Sequence, residues 1–243
     1  MNDSGKSDRL FADQAAPTGD FVFDEAVAAV FPDMIKRSVP GYPAIINMIQ
    51  LLAERYAQRG SAVLDLGCSL GASTVALAVG CDGRDCRVIG VDNAPAMLER
   101  ARSQSATRYP QIHWQCADIR EVAIEDASVV VLNFTLQFLP PDDRLTLLRR
   151  IRTGLKPGGI LILSEKIAAR DAVEEDLLTE MHHAFKRANG YSELEISRKR
   201  SALEKVLLPE SLALHQARLE RAGFGRSDLW FRCFNFVSLV ARW

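Results

Sequence analysis

Val63-Leu64-Asp65-Leu66-Gly67-Cys68-Ser69-Leu70-Gly71, followed by Arg87-Val88-Ile89-Gly90-Val91-Asp92, is the stretch whose reading decides the fold. A short apolar strand runs into an Asp-x-Gly-x-x-x-Gly turn, and a second apolar strand ends in an acid. In a Rossmann-type sheet this pair builds a nucleoside pocket. The glycines let the backbone approach the ligand where a Cβ would collide, and the strand-end acid accepts hydrogen bonds from both ribose hydroxyls. Neither half is specific alone, because glycine turns follow many strands and a strand-end acid is otherwise a solvated terminus or a helix cap. The two at this spacing carry the reading. Ser69 stands where the dinucleotide fingerprint Gly-x-Gly-x-x-Gly needs its middle glycine. That favours S-adenosylmethionine (SAM), which has no pyrophosphate to cradle, over NAD.

Outward from this stretch the alternation repeats. Strands are expected at 62–65, 87–91, 112–115, 128–133 and 160–164, with helices from 73, from 94 and over 142–155. The strands are continuously apolar rather than alternating, so both faces are buried, which means a parallel sheet covered by helices. Upstream, apolar residues at helical spacing predict a helix over 23–31, a break at Pro40-Gly41 and a second helix over 42–56. Lys156-Pro157-Gly158-Gly159 predicts a turn, and 226–231 with 235–241 predict two closing strands, one of them antiparallel. The expected fold is α/β: a mostly parallel seven-stranded sheet with helices on both faces and a charged helical insertion over 170–222. Residues 1–20 are polar and read as a mobile leader that orders over a ligand. Residues 21–243 read as a single SAM-binding domain with N-terminal helices over 21–60.

Composition removes several function classes. A chain of 243 residues with 48% hydrophobic content can bury one substantial core. Lys+Arg 30 against Asp+Glu 31 leaves a net charge of −1, without the basic excess that phosphate-backbone binding demands, so no direct nucleic-acid partner is expected. Cys68, Cys81, Cys86, Cys116 and Cys233 form no Cys-x-x-Cys pair, and no histidine stands at ligand spacing from them. Neither a metal site nor a disulfide framework is expected. Cys68 reads as a small residue that the turn accepts rather than a nucleophile. His182 and His183 are adjacent on a helix and face different ways, so they make a poor ligand pair; one of them is a candidate contact for a second substrate. No apolar run of about 18 residues and no signal-peptide core is present, so a cytoplasmic protein without a membrane partner is expected.

Two further positions fall where a SAM site needs them. Asp118-Ile119 follows the third strand, where a carboxylate can accept from the adenine amine and the next backbone N–H can reach a ring nitrogen. Asn133 closes the fourth strand, where its amide oxygen can accept from the methionine ammonium. The plainer readings are a turn cap and a loop contact.

The order of these motifs resembles the class I SAM-dependent methyltransferases over roughly 60–165. A closer resemblance rests on Val27-x-x-Val30-Phe31-Pro32-Asp33-Met34-Ile35-x-Arg37-Ser38-Val39-Pro40-Gly41-Tyr42 and Asp65-Leu66-Gly67-Cys68-Ser69-Leu70-Gly71-Ala72. It also rests on Val131-Leu132-Asn133-Phe134-Thr135-Leu136-Gln137-Phe138-Leu139 and Phe185-Lys186-Arg187-Ala188-Asn189-Gly190-Tyr191-Ser192-Glu193-Leu194-Glu195-Ile196-Ser197. These strings look like the carboxy-S-adenosylmethionine synthase family. The match runs from about Asp8 to Ala241.

The resemblance implies an activity unusual for this fold: SAM and prephenate become carboxy-SAM and phenylpyruvate, with carbon dioxide lost from prephenate captured by a sulfonium ylide at the SAM methyl. It implies that carboxy-SAM feeds a tRNA carboxymethyltransferase acting on a wobble uridine. It also implies a homodimer, for which Leu177, Leu178, Met181, Phe185, Leu203, Val206 and Leu207 supply apolar positions. Carried over by position, it places Tyr42, Gly67 with Cys68 and Ser69, Asp92 with Asn93, Asp118 with Ile119, Asn133 and Arg200 around the nucleoside product. Arg200 is the catalytic candidate, because a carboxymethyl group presents a carboxylate that a guanidinium can pair with in its own subunit or the partner's. Its plainer reading is a surface residue in the basic run Arg198-Lys199-Arg200. No general base is assigned, and no metal. The alternatives from the residues alone are an ordinary small-molecule methyltransferase and a non-catalytic SAM-binding regulator.

Overall fold

A computed structural model of the chain describes residues 7–12 and 21–243. In chain order it comprises α1 (Glu25–Ser38), α2 (Tyr42–Tyr56), β1 (Ala62–Leu66), α3 (Ala72–Gly80), β2 (Arg87–Asp92), α4 (Pro95–Ser105), β3 (His113–Cys116) and β4 (Ala127–Asn133). A 3-10 turn (Leu136–Phe138), α5 (Pro141–Gly154), β5 (Leu155–Lys166), α6 (Ala172–Ala188), α7 (Glu193–Leu203), α8 (Leu212–Arg221), β6 (Arg226–Cys233) and β7 (Phe236–Arg242) follow. The strands form one sheet in the order β3-β2-β1-β4-β5-β7-β6. Strands β1 to β5 run parallel, and β7 runs antiparallel to both β5 and β6. The mostly parallel seven-stranded sheet expected from the sequence is present.

The continuous apolar strands divide their side chains between two faces, as period-two geometry requires. Ala62, Leu64 and Leu66 of β1 join Leu147, Leu148 and Ile151 of α5, whereas Val63 joins Ile45 and Ile49 of α2 and Leu77 of α3 on the other side. Each such aliphatic side chain contributes about 1.5–3 kcal/mol by leaving water. Three helices occupy 170–222 between β5 and β6, and each start is written in the local sequence. Asp171 accepts from the Glu174 N–H at 2.9 Å, Ser192 and Glu195 form a reciprocal capping box, and Ser211 accepts from the Leu214 N–H.

Three local expectations change. The Lys156-Pro157-Gly158-Gly159 turn lies within the span of β5 as an irregularity: the ladder pairs Ala127 with Leu155, then resumes at Val129 with Ile160. The parallel neighbour holds the chain on both sides of the bend, so the strand continues through it. Helix α1 runs past the predicted end at 31, through Pro32 to Ser38. Proline removes one backbone donor, and buried Met34 together with the Arg37–Asp33 ion pair at 3.0 Å secures the turns beyond it. Within the predicted leader, residues 7–12 pack rather than stand free. Asp8 is 1% exposed, its N–H donates to Asp33 Oδ2 at 2.7 Å, and Phe11 is buried. The rest of 1–20 lies outside the described residues.

Candidate functional site

The strand order reverses on either side of β1, and the predicted nucleoside motifs gather at the carboxyl ends there, where open α/β sheets bind ligands. The Gly67 and Cys68 N–H groups both donate to the Val91 carbonyl, at 2.8 and 2.9 Å, tying the glycine loop to the end of β2. Asp92 completes the tie. Its Oδ2 accepts from the Ser69 N–H at 2.7 Å and its Oδ1 from the Ala94 N–H at 2.9 Å, so it holds the loop and starts α4 together. Burial raises the Asp92 pKa and these backbone donors lower it. Each of its oxygens keeps a lone pair for a ribose hydroxyl.

The glycines serve packing as well as ligand approach. Gly67 and Gly71 both have φ +81. A Cβ on Gly67 would lie 2.2 Å from Thr135 Cγ2, and one on Gly71 would lie 2.2 Å from the Trp114 ring. What a side chain would strike is therefore the protein's own wall, with Thr135 on one side of the loop and the indole of β3 on the other.

The start of α3 collects two polar groups from the sheet. Thr74 donates to Asp65 Oδ2 at 2.6 Å, and Asn133 Nδ2 donates to Ser73 Oγ at 3.0 Å. That leaves Asp65 Oδ1 and Asn133 Oδ1 buried without a partner among the described residues. Burial, opposed by the Thr74 hydroxyl and supported by the Asp92 charge, lifts the Asp65 carboxyl to about 7. Both acceptors sit at the carboxyl ends of adjacent strands and have lone pairs open to a donor from outside the described residues. Asp65 is legible in the sequence only as part of the glycine motif; its open oxygen is set by the packing of α3 against β1.

Tyr42 begins α2 with its ring 6.4 Å from that of Phe134, the residue after Asn133. Part of the residue is accessible, yet enclosure of its hydroxyl raises its pKa first, with Asp65 adding to the effect. Burial, then Asp65 and Asp92, keep the Cys68 thiol protonated, which makes it a poor nucleophile. Ile119 is buried and Asn93 exposed. Asp118 lies two residues beyond Cys116, the register partner of Asp92. Its carboxylate is engaged by Arg120 at 2.6 Å, and Arg120 also reaches Asp143 at 2.7 Å. Hydrogen bonds from Arg120 hold the Asp118 carboxyl below the usual range. An adenine amine at this position would share Asp118 with that guanidinium.

Arg200 stands apart from this group. It is exposed on α7 and lines a shallow cleft of about 400 Å³ with His183 and the acidic residues Glu175, Asp176 and Glu180 of α6. His182 faces the opposite way: its Nε2–H donates to the Ser38 carbonyl at 2.9 Å, and its ring meets Phe236 edge-on at 5.0 Å. Burial first, then the neighbouring lysines, lowers its pKa to about 3 and keeps it neutral. A larger open hollow of about 840 Å³ lies at the other ends of β4 and β5, bordered by Glu125, Asp126, Lys156 and Pro157, away from all the nucleoside motifs. Among the described residues no group of three or more His, Cys, Asp or Glu is placed to hold a metal ion.

Comparison with known proteins agrees with this geometry. A methyltransferase-domain family profile matches residues 63–159. The chain is 58% identical over 239 residues to a carboxy-S-adenosyl-L-methionine synthase of Geobacter sp. (strain M21), covering 97% of this chain and 98% of that one. It is 57% identical over 236 residues to the enzyme of the same name from Escherichia coli O1:K1 / APEC, covering 96% of each. Among solved structures, a putative O-methyltransferase from Nostoc punctiforme superposes with a TM-score of 0.63 at 19% identity, over 90% of this chain and 59% of that longer one. Magnesium protoporphyrin IX methyltransferase from Synechocystis, solved with bound SAH, superposes with a TM-score of 0.59 at 17% identity, over 86% of each chain. At such identities these neighbours establish the class I methyltransferase-like fold and nothing finer.

Proposed function

The chain belongs to the carboxy-S-adenosyl-L-methionine synthase family, and from that premise we propose that it converts SAM and prephenate into carboxy-SAM and phenylpyruvate. The observation that carries this reading is the identity over the whole length of curated synthases. The two orphaned acceptors support it, because an enzyme of this activity must hold a cationic amino-acid nucleoside.

In this reading Asp92 accepts from the ribose hydroxyls, Asp118 and the Ile119 N–H read the adenine edge, and Asn133 Oδ1 and Asp65 Oδ1 receive the methionine ammonium. Gly67, Cys68 and Ser69 shape the floor, Asn93 borders the ribose, and Tyr42 closes the side nearest Phe134. The sulfonium of the bound substrate supplies the acidity of its methyl carbon. The chain's part is to fix that carbon beside the carboxyl donor, keep water away, and place a cation where the new carboxylate forms. Arg200 takes that last role, acting in its own subunit or across a homodimer. Val173 and Leu177, apolar and exposed one turn apart on α6, support a partner surface near it.

We place the enzyme in the cytoplasm, with residues 21–243 acting as one SAM-binding domain. Its product passes to a tRNA carboxymethyltransferase, so its link to RNA is through a metabolite. A formal net charge of −1 supports the absence of direct RNA contact. No helix among the described residues is long and apolar enough to cross a membrane.

Incubation of the purified protein with SAM and prephenate should yield phenylpyruvate and carboxy-SAM in equal amounts. Formation of S-adenosylhomocysteine with a methylated acceptor would overturn the reading in favour of an ordinary methyltransferase.

A further inference from the structure

The flank of the site built from β5, α6 and α7 carries charge that the nucleoside motifs do not use. Lys186 lies on the inward face of α6, one turn beyond His182 and two beyond Leu178, and is only 7% exposed. Among the described residues its ammonium has no hydrogen bond and no ion pair. Lys166, half-buried at the end of β5, also has an unpaired side chain among them. Lys199 differs: its ammonium donates to Ser38 Oγ at 3.0 Å and pairs with Asp8 at 3.4 Å. A buried, unpartnered cation costs stability and is tolerated where an anion arrives to compensate it.

The groups facing Lys186 are themselves basic. Burial first, then the charges of Lys199 on α7, Lys166 on β5 and Arg200 on α7, together lower its pKa to about 7. On its own helix the neighbouring imidazoles are His182 and His183, both held below their ordinary pKa. The carboxylate that acts on Lys166 is Glu175, and Arg200 opposes it.

An aromatic row leads from the nucleoside pocket to this pair of lysines. Tyr42 and Phe134 are 6.4 Å apart, Phe134 and Phe236 are 6.0 Å apart, and Phe236 meets His182 at 5.0 Å. Lys166 is the cross-strand register partner of Phe236, and Lys186 follows His182 by one turn. Phe134 and Phe236 are 8% and 4% exposed, so the row is a packed apolar wall that begins beside the SAM site and ends at the unpaired ammonium groups, a setting complementary to a small acid with more than one carboxylate.

We propose that Lys186 and Lys166 form the anion pocket that binds the carboxylates of the second substrate, with the Phe134–Phe236 row as its apolar wall. This rests on the synthase reading, and it assigns the co-substrate to residues distinct from those around the nucleoside. Arg200 remains the partner of the carboxyl group after transfer, whereas Lys186 and Lys166 hold the donor before it.

The test compares the full chain with Lys186→Met and Lys166→Gln, measuring KM for prephenate, Kd for SAM by calorimetry, and the rise in melting temperature on adding malonate as a bare dicarboxylate, against chloride at equal ionic strength. Lys186→Met should raise the prephenate KM at least tenfold and abolish the malonate shift, and Lys166→Gln should raise KM severalfold, both with SAM affinity within twofold of the parent. If Lys186→Met does not fold, Lys166→Gln decides by the same comparison. Prephenate turnover with unchanged KM in the folded variants would overturn the pocket and leave the synthase reading intact. Malonate protection that depends on Lys186, in a chain that does not consume prephenate, would support the anion pocket and overturn the choice of substrate.

Discussion

The glycine-loop edge of the sheet and the α6–α7 flank beside it handle polar groups in opposite ways. At the loop, Asp92 is satisfied by two backbone donors and Asp65 by Thr74, so the pocket stands preorganised and leaves only single oxygens open. At the flank, Lys186 is buried with no counter-ion among the described residues, and further cations stand near it. A satisfied cradle binds through contacts already held in place, and a ligand adds to them without rebuilding the site. An unsatisfied cationic pocket is destabilised when empty, and its ligand supplies what is missing. The nucleoside half should therefore be sensitive to shape, and the co-substrate half to charge.

Breaking the shape of the cradle should have the largest effect. Gly67→Ala places a Cβ at φ +81 and 2.2 Å from Thr135 Cγ2, which should cost about 3 kcal/mol in stability or SAM affinity. Adding Thr135→Ala removes the two nearest clashing atoms and should restore only part of the loss, because the backbone strain remains. Full restoration, measured by denaturant melts and calorimetry, would show that space alone set the glycine.

Asp92→Ala should weaken SAM and carboxy-SAM equally, by about 1.5–3 kcal/mol per lost charge-assisted bond, because the ribose is common to both. The same change frees the Ser69 and Ala94 N–H groups, so a lowered melting temperature should accompany it. Unchanged affinity alongside that lowered melting temperature would reduce Asp92 to a loop clamp.

Arg200→Ala sharpens the contrast by ligand. It should weaken carboxy-SAM by about 2 kcal/mol, roughly thirtyfold, and leave SAM little changed, with Arg200→Lys recovering part of the loss. Equal losses for both ligands would remove Arg200 from the carboxylate role. Light scattering on the parent, where we expect a dimer, then separates action within a subunit from action across two.

The smallest effect should have the opposite sign. Lys186→Met removes an uncompensated buried cation and should stabilise the ligand-free protein by about 1–2 kcal/mol at neutral pH. The folded pKa of Lys186 is depressed to about 7 from 10.5, so protonation favours the unfolded chain. The penalty is absent above pH 10.5, grows as pH falls toward 7, and is constant below that. The stabilisation by Lys186→Met should therefore be full at pH 6.5 and shrink by pH 9.5. Melting temperatures that fall in the variant at both pH values would show that Lys186 has a packing role.

The strand-and-glycine alternation, the sheet and the placement of Gly67, Asp92, Asp118 and Asn133 at strand ends were determined by the sequence itself, because they follow from local rules: side-chain period, positive-φ turns and acids at strand ends. The helix starts at Asp171, Ser192 and Ser211 belong to the same class. Local rules do not reach the rest. The bend at Lys156–Gly159 reads as a turn until a neighbouring strand holds it in register, and residues 7–12 read as loose until Asp33, Arg37, Tyr191 and Lys199 gather around Asp8. Lys186 lies inside a stretch that resembles the family, yet nothing in that stretch marks it as buried or unpaired. Its isolation depends on which groups from β5 and α7 pack against α6, and burial without a partner is a property of three-dimensional neighbours that no stretch of sequence contains.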